Sequence, residues 1–498
     1  TINSKIKELY PASLRPLIPI VEGKTYNAEL IDKSIDALTS AAGIKGYAFA
    51  EIHPRIGRDR IHHTINVIFD IEQGARVYVE KINITGNTRT LDKVIRREFR
   101  LVEGDAFNRV LVDRSRTRIR SLGFFKDVDI KPAPGSQPDR TVLNVNVTEQ
   151  STGELQLGVG YSSTSSFVGQ FSYTERNLFG RGQFLRASIS LSSISKEAVL
   201  SFTEPYFLDR PLSAGFDIYK IVTNFDQASY QSDTNAIGFR LGFPTSEYAS
   251  VGLRYTLRSD SVNPFSNAPA AIRLAAGSAT TSSVGYTYAY NTLDDPLKPR
   301  HGITFQISQD FAGLGGDLKY LRSRAAFSYR RPVLWDEFVL TFSGNGGFIN
   351  GYDGQHVRLN ERFFEGGDTF RGFQIAGIGP RELHAGHESA IGGEAYAIGS
   401  LELRIPDLLP ADYGISASLF TDFGTLGHIA AQPGLKSCGQ VGPLAPCIVD
   451  QMALRASGGI AIGWKSPFGP VEIDLGVPYI KQGYDKTQII RFSAGTGL

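Results

Sequence analysis

Residues 363 to 373 read Phe363-Phe364-Glu365-Gly366-Gly367-Asp368-Thr369-Phe370-Arg371-Gly372-Phe373, and the chain continues to Gly377-Ile378-Gly379-Pro380-Arg381. An arginine set among glycines and aromatics is suited to anchoring. Its guanidinium is a planar fork of five donors that fits a carboxylate as a bidentate pair. Other candidates for chemistry are weaker. His384-Ala385-Gly386-His387-Glu388 resembles a metal motif superficially, but it lacks a third positioned ligand and reverses the order of known zinc sequences. Gly344-Asn345-Gly346-Gly347 is not set between a strand and a helix, as a nucleotide loop would be. Cys438 and Cys447 lie close together in a Gly/Pro-rich segment with no histidine after His428, which points to a disulfide within one loop and an oxidising compartment. No Ser/His/Asp arrangement stands out, so no catalysis, cofactor or metal is expected.

The elements that would position Arg371 are strands. The chain has 498 residues, with 52 Lys+Arg against 50 Asp+Glu. That near balance gives no reason to expect a nucleic-acid partner. There are 53 glycines, 31 Phe and 21 Tyr but a single Met, and no apolar run is long enough for a transmembrane helix. Apolar residues come instead in short alternating runs, as in a membrane β-barrel.

From residue 151 onward, period-2 alternation predicts strands at 154–161, 167–175, 184–192, 197–204, 212–222, 228–243, 248–258, 281–290, 302–310, 319–330, 336–349, 394–405, 413–424, 452–465, 469–478 and 487–498. Sixteen is an even number, as a closed bacterial barrel requires. Charges keep to one face: Arg322 and Arg324 oppose Leu321, Ala325 and Phe327, and Arg254 and Arg258 oppose Val251, Leu253 and Leu257. A polar lumen and a lipid-facing exterior account for that division. The long connectors 259–280, 350–393 and 425–451 all follow odd-numbered strands, so they share one side of the membrane.

Residues 1–150 are mildly basic and contain a repeat. Val21-Glu22-Gly23-Lys24-Thr25-Tyr26-Asn27 returns as Val102-Glu103-Gly104-Asp105-Ala106-Phe107-Asn108, and Leu30-Ile31-Asp32-Lys33-Ser34 as Leu111-Val112-Asp113-Arg114-Ser115. Two units are expected, 1–75 and 76–150, each reading helix, helix, strand, strand. In the second, helical spacing covers 92–99 and 110–122. Strands are expected at 77–84, 127–130 and 142–147, with a turn at Pro132-Ala133-Pro134-Gly135-Ser136. In the first, residues 1–10 look helical and the leading strand is expected to be missing or degraded. The Gly123-Phe124-Phe125 turn strengthens a resemblance to the POTRA module, a small α+β domain found in front of outer-membrane insertase barrels.

The Arg371 segment between strands eleven and twelve makes the resemblance close. With the turns Asn177-Leu178-Phe179-Gly180 and Trp464-Lys465-Ser466-Pro467-Phe468-Gly469-Pro470, the chain resembles the BamA family along nearly its whole length. In that family a 16-stranded antiparallel transmembrane barrel follows POTRA modules, and the sixth outer loop enters the lumen with an Arg-Gly-Phe/Tyr tip. The resemblance implies that Arg371, Gly372 and Phe373 form the loop anchor and that Glu402 and Asp422 are its lumen partners. Parity agrees, since Glu402 lies opposite Leu401 and Leu403, and Asp422 opposite Thr421 and Phe423.

The implied function is insertion of β-barrel proteins into the bacterial outer membrane, with residues 1–150 in the periplasm. Client segments would add to module strand edges by β-augmentation. They would then pair at a lateral seam between the first and last barrel strands, where separated backbone groups are costly in lipid. Gln156, Gly158, Gly160, Ser493, Gly495 and Gly497 lie along that seam. The implied partners are unfolded outer-membrane protein precursors, accessory assembly lipoproteins (BamD-like) and outer-membrane lipid. The alternatives are a TamA-like translocation and assembly protein or a two-partner secretion transporter. The chain opens on Thr1, so a removed signal and further chain upstream are expected. It closes on Leu498, where the family usually carries an aromatic residue.

Overall fold

A strand that crosses lipid must pair every backbone N–H and C=O with a neighbouring strand, and only a closed sheet does this without leaving an edge. The computed structural model describes residues 1–498 apart from 7–8, 24–27, 45–46, 48–49, 60–63, 74–76, 296–298, 335–336, 385–386, 407–412, 431–435, 441–445, 467–468 and 496–498. In it sixteen strands close into one barrel in simple sequential order. They are β1 (Gly153–Ser162), β2 (Ser166–Leu178), β3 (Gln183–Ser192), β4 (Ser195–Glu204), β5 (Ser213–Phe225), β6 (Tyr230–Pro244), β7 (Ala249–Pro264) and β8 (Gly277–Asn291). The second half comprises β9 (Gly302–Gly316), β10 (Tyr320–Val333), β11 (Phe338–Gly351), β12 (Ala395–Ile405), β13 (Ile415–Gly427), β14 (Arg455–Ser466), β15 (Gly469–Ile480) and β16 (Ile490–Gly495).

Each strand expected from alternation is present, and the faces divide as expected. On β10, Leu321 points outward at 43% exposure while its neighbour Arg322 is 8% exposed on the inner side. Among the described residues no helix is long and apolar enough to cross a membrane.

Strand ends differ from expectation on the rim that carries the long connectors. β7 continues to Pro264 and β8 begins at Gly277, so the expected connector 259–280 shrinks to 265–276 around a short helix, Ala270–Leu274. Apolar alternation stops where lipid stops, but backbone pairing does not need it. The ladder continues through Ser259↔Thr280 and Asp260↔Ala279, and Asp260 also accepts from Oγ1 of Thr234 at 2.7 Å.

The expected last strand, 487–498, is divided. Thr487–Gln488 pairs with Gly372–Phe373 of the long connector, and among the described residues Ile490–Gly495 joins the barrel wall. Gly497 and Leu498 lie outside the described residues.

The front of the chain, with the turn Arg176–Gln183, forms a separate compact unit. It contains two three-stranded sheets. In the second, Tyr78–Thr85 runs parallel to Arg140–Glu149, which pairs antiparallel with Phe125–Pro134. Helices Asp92–Arg96 and Arg109–Ser121 accompany this sheet, and Val79, Ile95, Ile119, Leu143 and Val145 fill the core. Asn108 caps the longer helix, accepting from the Val110 N–H at 2.9 Å.

Two expectations for the modules are corrected. Residues 1–10 were expected to be helical, yet Ile2–Ser4 is a strand lying parallel to Thr64–Gln73, so the leading strand of the first module is present. Ile2 and Ile6 are buried by that placement. Tertiary pairing of this kind overrides local propensity in so short a segment. The expected turn at 132–136 begins later, because Pro132 and Pro134 lie on an edge strand, where a missing N–H is tolerated.

Candidate functional site

The connector between β11 and β12 packs its aromatic residues inward. Phe370 and Phe373 are fully buried and meet edge to face, with ring centroids 5.0 Å apart. Between them the backbone turns at Gly372, whose φ of +89° suits glycine, and a Cβ there would lie 3.0 Å from the Cβ of Ser457. The two rings and the turn fix the direction of Arg371.

Arg371 lies between two adjacent strands. Its Nε donates to Oδ2 of Asp422 at 2.9 Å and its Nη2 to Oδ1 at 2.8 Å, which is the bidentate fork. Nη1 donates to Oε2 of Glu402 at 3.2 Å and Nη2 also to Oγ of Ser400 at 3.1 Å. Both acids named from the sequence are therefore brought to the arginine, but unequally. The Asp422 side chain is 4% exposed and doubly bonded, whereas that of Glu402 is 38% exposed and singly bonded.

Further groups complete the grip. The Arg371 N–H donates to Oδ2 of Asp422, its carbonyl accepts from Oγ of Ser457, and Ser400 donates to Oδ1 of Asp422. The guanidinium carbon stands 3.6 Å from the ring centroid of Phe420, close enough for a cation–π contact. Ser400, Phe420 and Ser457 were not singled out in the sequence, although parity places Ser400 and Phe420 on the lumen faces of Glu402 and Asp422.

A second anchor of opposite polarity holds the start of the same connector. Glu361 is 2% exposed and pairs with Arg258 of β7 and Arg322 of β10. Alternation had already placed both arginines in the lumen. Buried arginines demand a counter-charge, and that signal could have led to Glu361. A third buried pair, Arg455 with Asp485 at 3.1 Å, ties β14 to the segment before β16.

At the seam, among the described residues, β16 pairs with β1 at Ser493↔Ser162, Ala494↔Tyr161 and Gly495↔Gly160, and the Ser163 N–H donates to the Phe492 carbonyl at 2.8 Å. The β15–β16 junction beside it pairs from Val471↔Ala494 to Leu475↔Ile490, and β6–β7, farther along the wall, from Tyr230↔Pro264 to Pro244↔Ser250. A Cβ on Gly495 would lie 2.4 Å from Cα of Gly160, so the strands approach there because neither residue has a side chain. Gln156 and Gly158 lie further along β1. Gln156 accepts from Oγ of Ser172 on β2. The residues that would continue the register opposite Gly158 lie outside the described ones.

Cys438 and Cys447 are joined as a disulfide, with Cα atoms 4.7 Å apart. Cys447–Val449 forms the third strand of a small sheet with Arg381–His384 and His387–Ala390, so this pairing sets one long connector beside another and the bridge closes a loop within one of them. His384 and His387 are register partners in that hairpin, and Glu388 is ion-paired with Lys486. Protein isolated without reductant is expected to show no labelled thiol at Cys438 or Cys447 and two after reduction, read by intact mass. Free thiols in the unreduced protein would contradict the pairing.

Comparison with known proteins agrees with this fold. A POTRA model, described as a surface antigen variable number repeat, matches residues 3–74 and 77–150. The outer membrane protein assembly factor BamA of Neorickettsia risticii is 30% identical over 99% of this chain and 64% of its own length. BamA of Neisseria meningitidis is 28% identical over 100% of this chain and 66% of its own. This chain thus spans about two thirds or less of these curated relatives. The crystal structure of BamA from Haemophilus ducreyi lacking POTRA domains 1–3 superposes with a TM-score of 0.80 at 25% identity, covering 99% of this chain and 98% of that one. The Omp85 superfamily domain extends over residues 177–497, nearly the whole barrel including the Arg371 connector, and the chain is a member of that superfamily.

Proposed function

We propose that the chain inserts and assembles β-barrel proteins in the bacterial outer membrane, with residues 1–150 in the periplasm and the long-connector rim at the cell surface. The observation that carries this reading is the junction between β1 and β16, where Gly495 lies so close on Gly160 that a Cβ would stand 2.4 Å from its Cα. In lipid an unpaired strand edge has no water to satisfy it, so the two edges of this junction, once parted, would take an incoming strand as a new partner. Junctions such as β6–β7, which pairs from Tyr230↔Pro264 to Pro244↔Ser250, stay intact while that exchange occurs.

Module sheets supply the earlier step. Ala50–Asp59 and Tyr78–Thr85 are edge strands of their sheets, so an extended precursor can add to either by main-chain hydrogen bonding with little demand on its sequence. The ligands are unfolded outer-membrane protein precursors. Accessory lipoproteins of the BamD kind are the proposed partners, and outer-membrane lipid is the solvent. The grip of Asp422, Glu402 and Ser400 on Arg371 keeps the lumen-inserted loop fixed while the seam works. No bond is made or broken, so the activity is that of an assembly factor.

Photo-crosslinkers placed at Gln156 and Ser493 of the full-length protein in cells are expected to capture nascent barrel proteins. Positions on β6 and β7 should not. Equal capture around the whole wall would refute a seam mechanism.

A further inference from the structure

The segment 363–373 grips the wall at two places. Arg371 holds β12 and β13. Three residues earlier, Oδ1 of Asp368 accepts from Nη2 of Arg491, on β16, at 2.5 Å. The same Nη2 donates to Oγ1 of Thr164, in the connector between β1 and β2, at 2.8 Å. Arg491 therefore stands on the last strand, bonded across the seam on one side and to the loop on the other. Its side chain is 6% exposed, whereas that of Asp368 is 89% exposed. Gly367 explains how the loop comes so close: its φ is +67°, and a Cβ there would lie 2.9 Å from Nη1 of Arg491. The Gly-Gly-Asp sequence lets bare backbone cross the guanidinium and then presents the carboxylate.

Backbone bonds extend the same attachment. Gln488 pairs with Gly372 and Thr487 with Phe373. Lys486 donates its N–H to the Gly377 carbonyl at 2.9 Å and accepts from the Gln374 N–H at 3.0 Å. The chain leading into β16 is thus an added strand of the loop.

We propose that Arg491 is the latch of the seam, a positioning residue that couples closure of β16 on β1 to the lumen-inserted loop. The bond to Thr164 crosses the seam and breaks when the strands part. Asp368, the 372–373 ladder and the register partner Asp474 on β15 stay with Arg491. This division makes opening feasible. A buried guanidinium stripped of its counter-charge would strongly oppose separation. Here the counter-charge travels with it, and the contact released is one hydrogen bond to a neutral hydroxyl. β16 and the loop are thereby expected to move as one body.

This inference rests on the proposed seam mechanism, and hydrogen exchange separates the two. Full-length protein in lipid nanodiscs would be followed by mass spectrometry at three places: the seam (160–162 and 493–495), the loop ladder (372–373 and 487–488) and the β6–β7 wall. Thr164→Val, which keeps the shape and removes the acceptor, is expected to speed exchange at the seam about tenfold, the scale of a lost hydrogen bond to a charged group. The loop ladder and the wall should be unchanged. Arg491→Gln should speed the seam at least as much, and Arg491→Lys less. Seam exchange unchanged in Thr164→Val, or raised equally at the loop ladder, overturns the latch. A parental seam that exchanges no faster than the β6–β7 wall overturns the seam mechanism itself, and the latch with it.

Discussion

Arg371→Ala is expected to lower the thermal stability of the barrel markedly and to slow assembly of other outer-membrane proteins. The reason lies in what the substitution leaves behind. Asp422 is 4% exposed, and this guanidinium, which donates to both of its oxygens, is the positive charge that compensates it. Removing one member of a buried pair costs on the order of 3–5 kcal/mol, because the other charge stays in place without compensation. Arg371→Lys should recover only part of this, since a point charge cannot occupy both oxygens and the Ser400 hydroxyl together. The two acids should differ. Asp422→Asn is expected to approach the effect of Arg371→Ala, while Glu402→Gln should cost about 1 kcal/mol or less, as a half-exposed single contact does. Unfolding temperature, read by the gel-mobility shift of the barrel on heating, ranks the variants. Equal effects of Asp422→Asn and Glu402→Gln would mean that the bidentate geometry is not what holds the loop.

Much of this site was legible in the sequence because strand parity is strict. Once 394–405 and 413–424 were recognised as strands, parity put Glu402 and Asp422 on the lumen side, and the family resemblance carried by the Arg-Gly-Phe tip implied what they would meet. Parity states a side and leaves the partner open. Glu361 illustrates the limit: it lies in an irregular connector, and its pairing with arginines 103 and 39 residues away is created by barrel closure. Arg491 was hidden for a related reason. It was read as one residue of a continuous strand 487–498, and nothing local indicates that Thr487–Gln488 leaves the wall to pair with Gly372–Phe373.

Strand ends were misjudged where the solvent changes. Sequence alternation records the lipid boundary, and the ladders of β7 and β8 rise beyond it through Ser, Asp and Thr residues whose polar side chains carry no such signal. In the modules, three residues, Ile2–Ser4, are too few for any periodicity, and only the sheet they join determines their conformation.

Glu361→Gln is expected to be the most destabilising single substitution outside the Arg371 site. The substitution keeps the shape but leaves two wall arginines facing a neutral amide. Arg258 retains some compensation, because its Nε lies 2.6 Å from Oδ2 of Asp260. Arg322 keeps the Glu361 carbonyl at 3.0 Å and stacks over the Tyr320 ring at 4.9 Å, but neither carries a negative charge. An uncompensated guanidinium at 8% exposure places the expected loss at about 3–5 kcal/mol. A double substitution tests the cause. Glu361→Gln combined with Arg322→Met removes both members of that pair and fills the space, so the barrel should regain more than half of the lost stability. Contacting residues depart from additivity in this way when they are energetically coupled. Additive losses would show that Glu361 acts by packing the Leu359–Glu361 turn instead of by charge. The seam offers a second reading: Glu361 contacts β7 and β10, far along the wall from β1 and β16, so Glu361→Gln should lower the unfolding temperature without raising hydrogen exchange at 160–162 or 493–495 under native conditions. The connector would then be held by two separable grips, a charge pair that stabilises the barrel as a whole and a tip that governs where the wall can open.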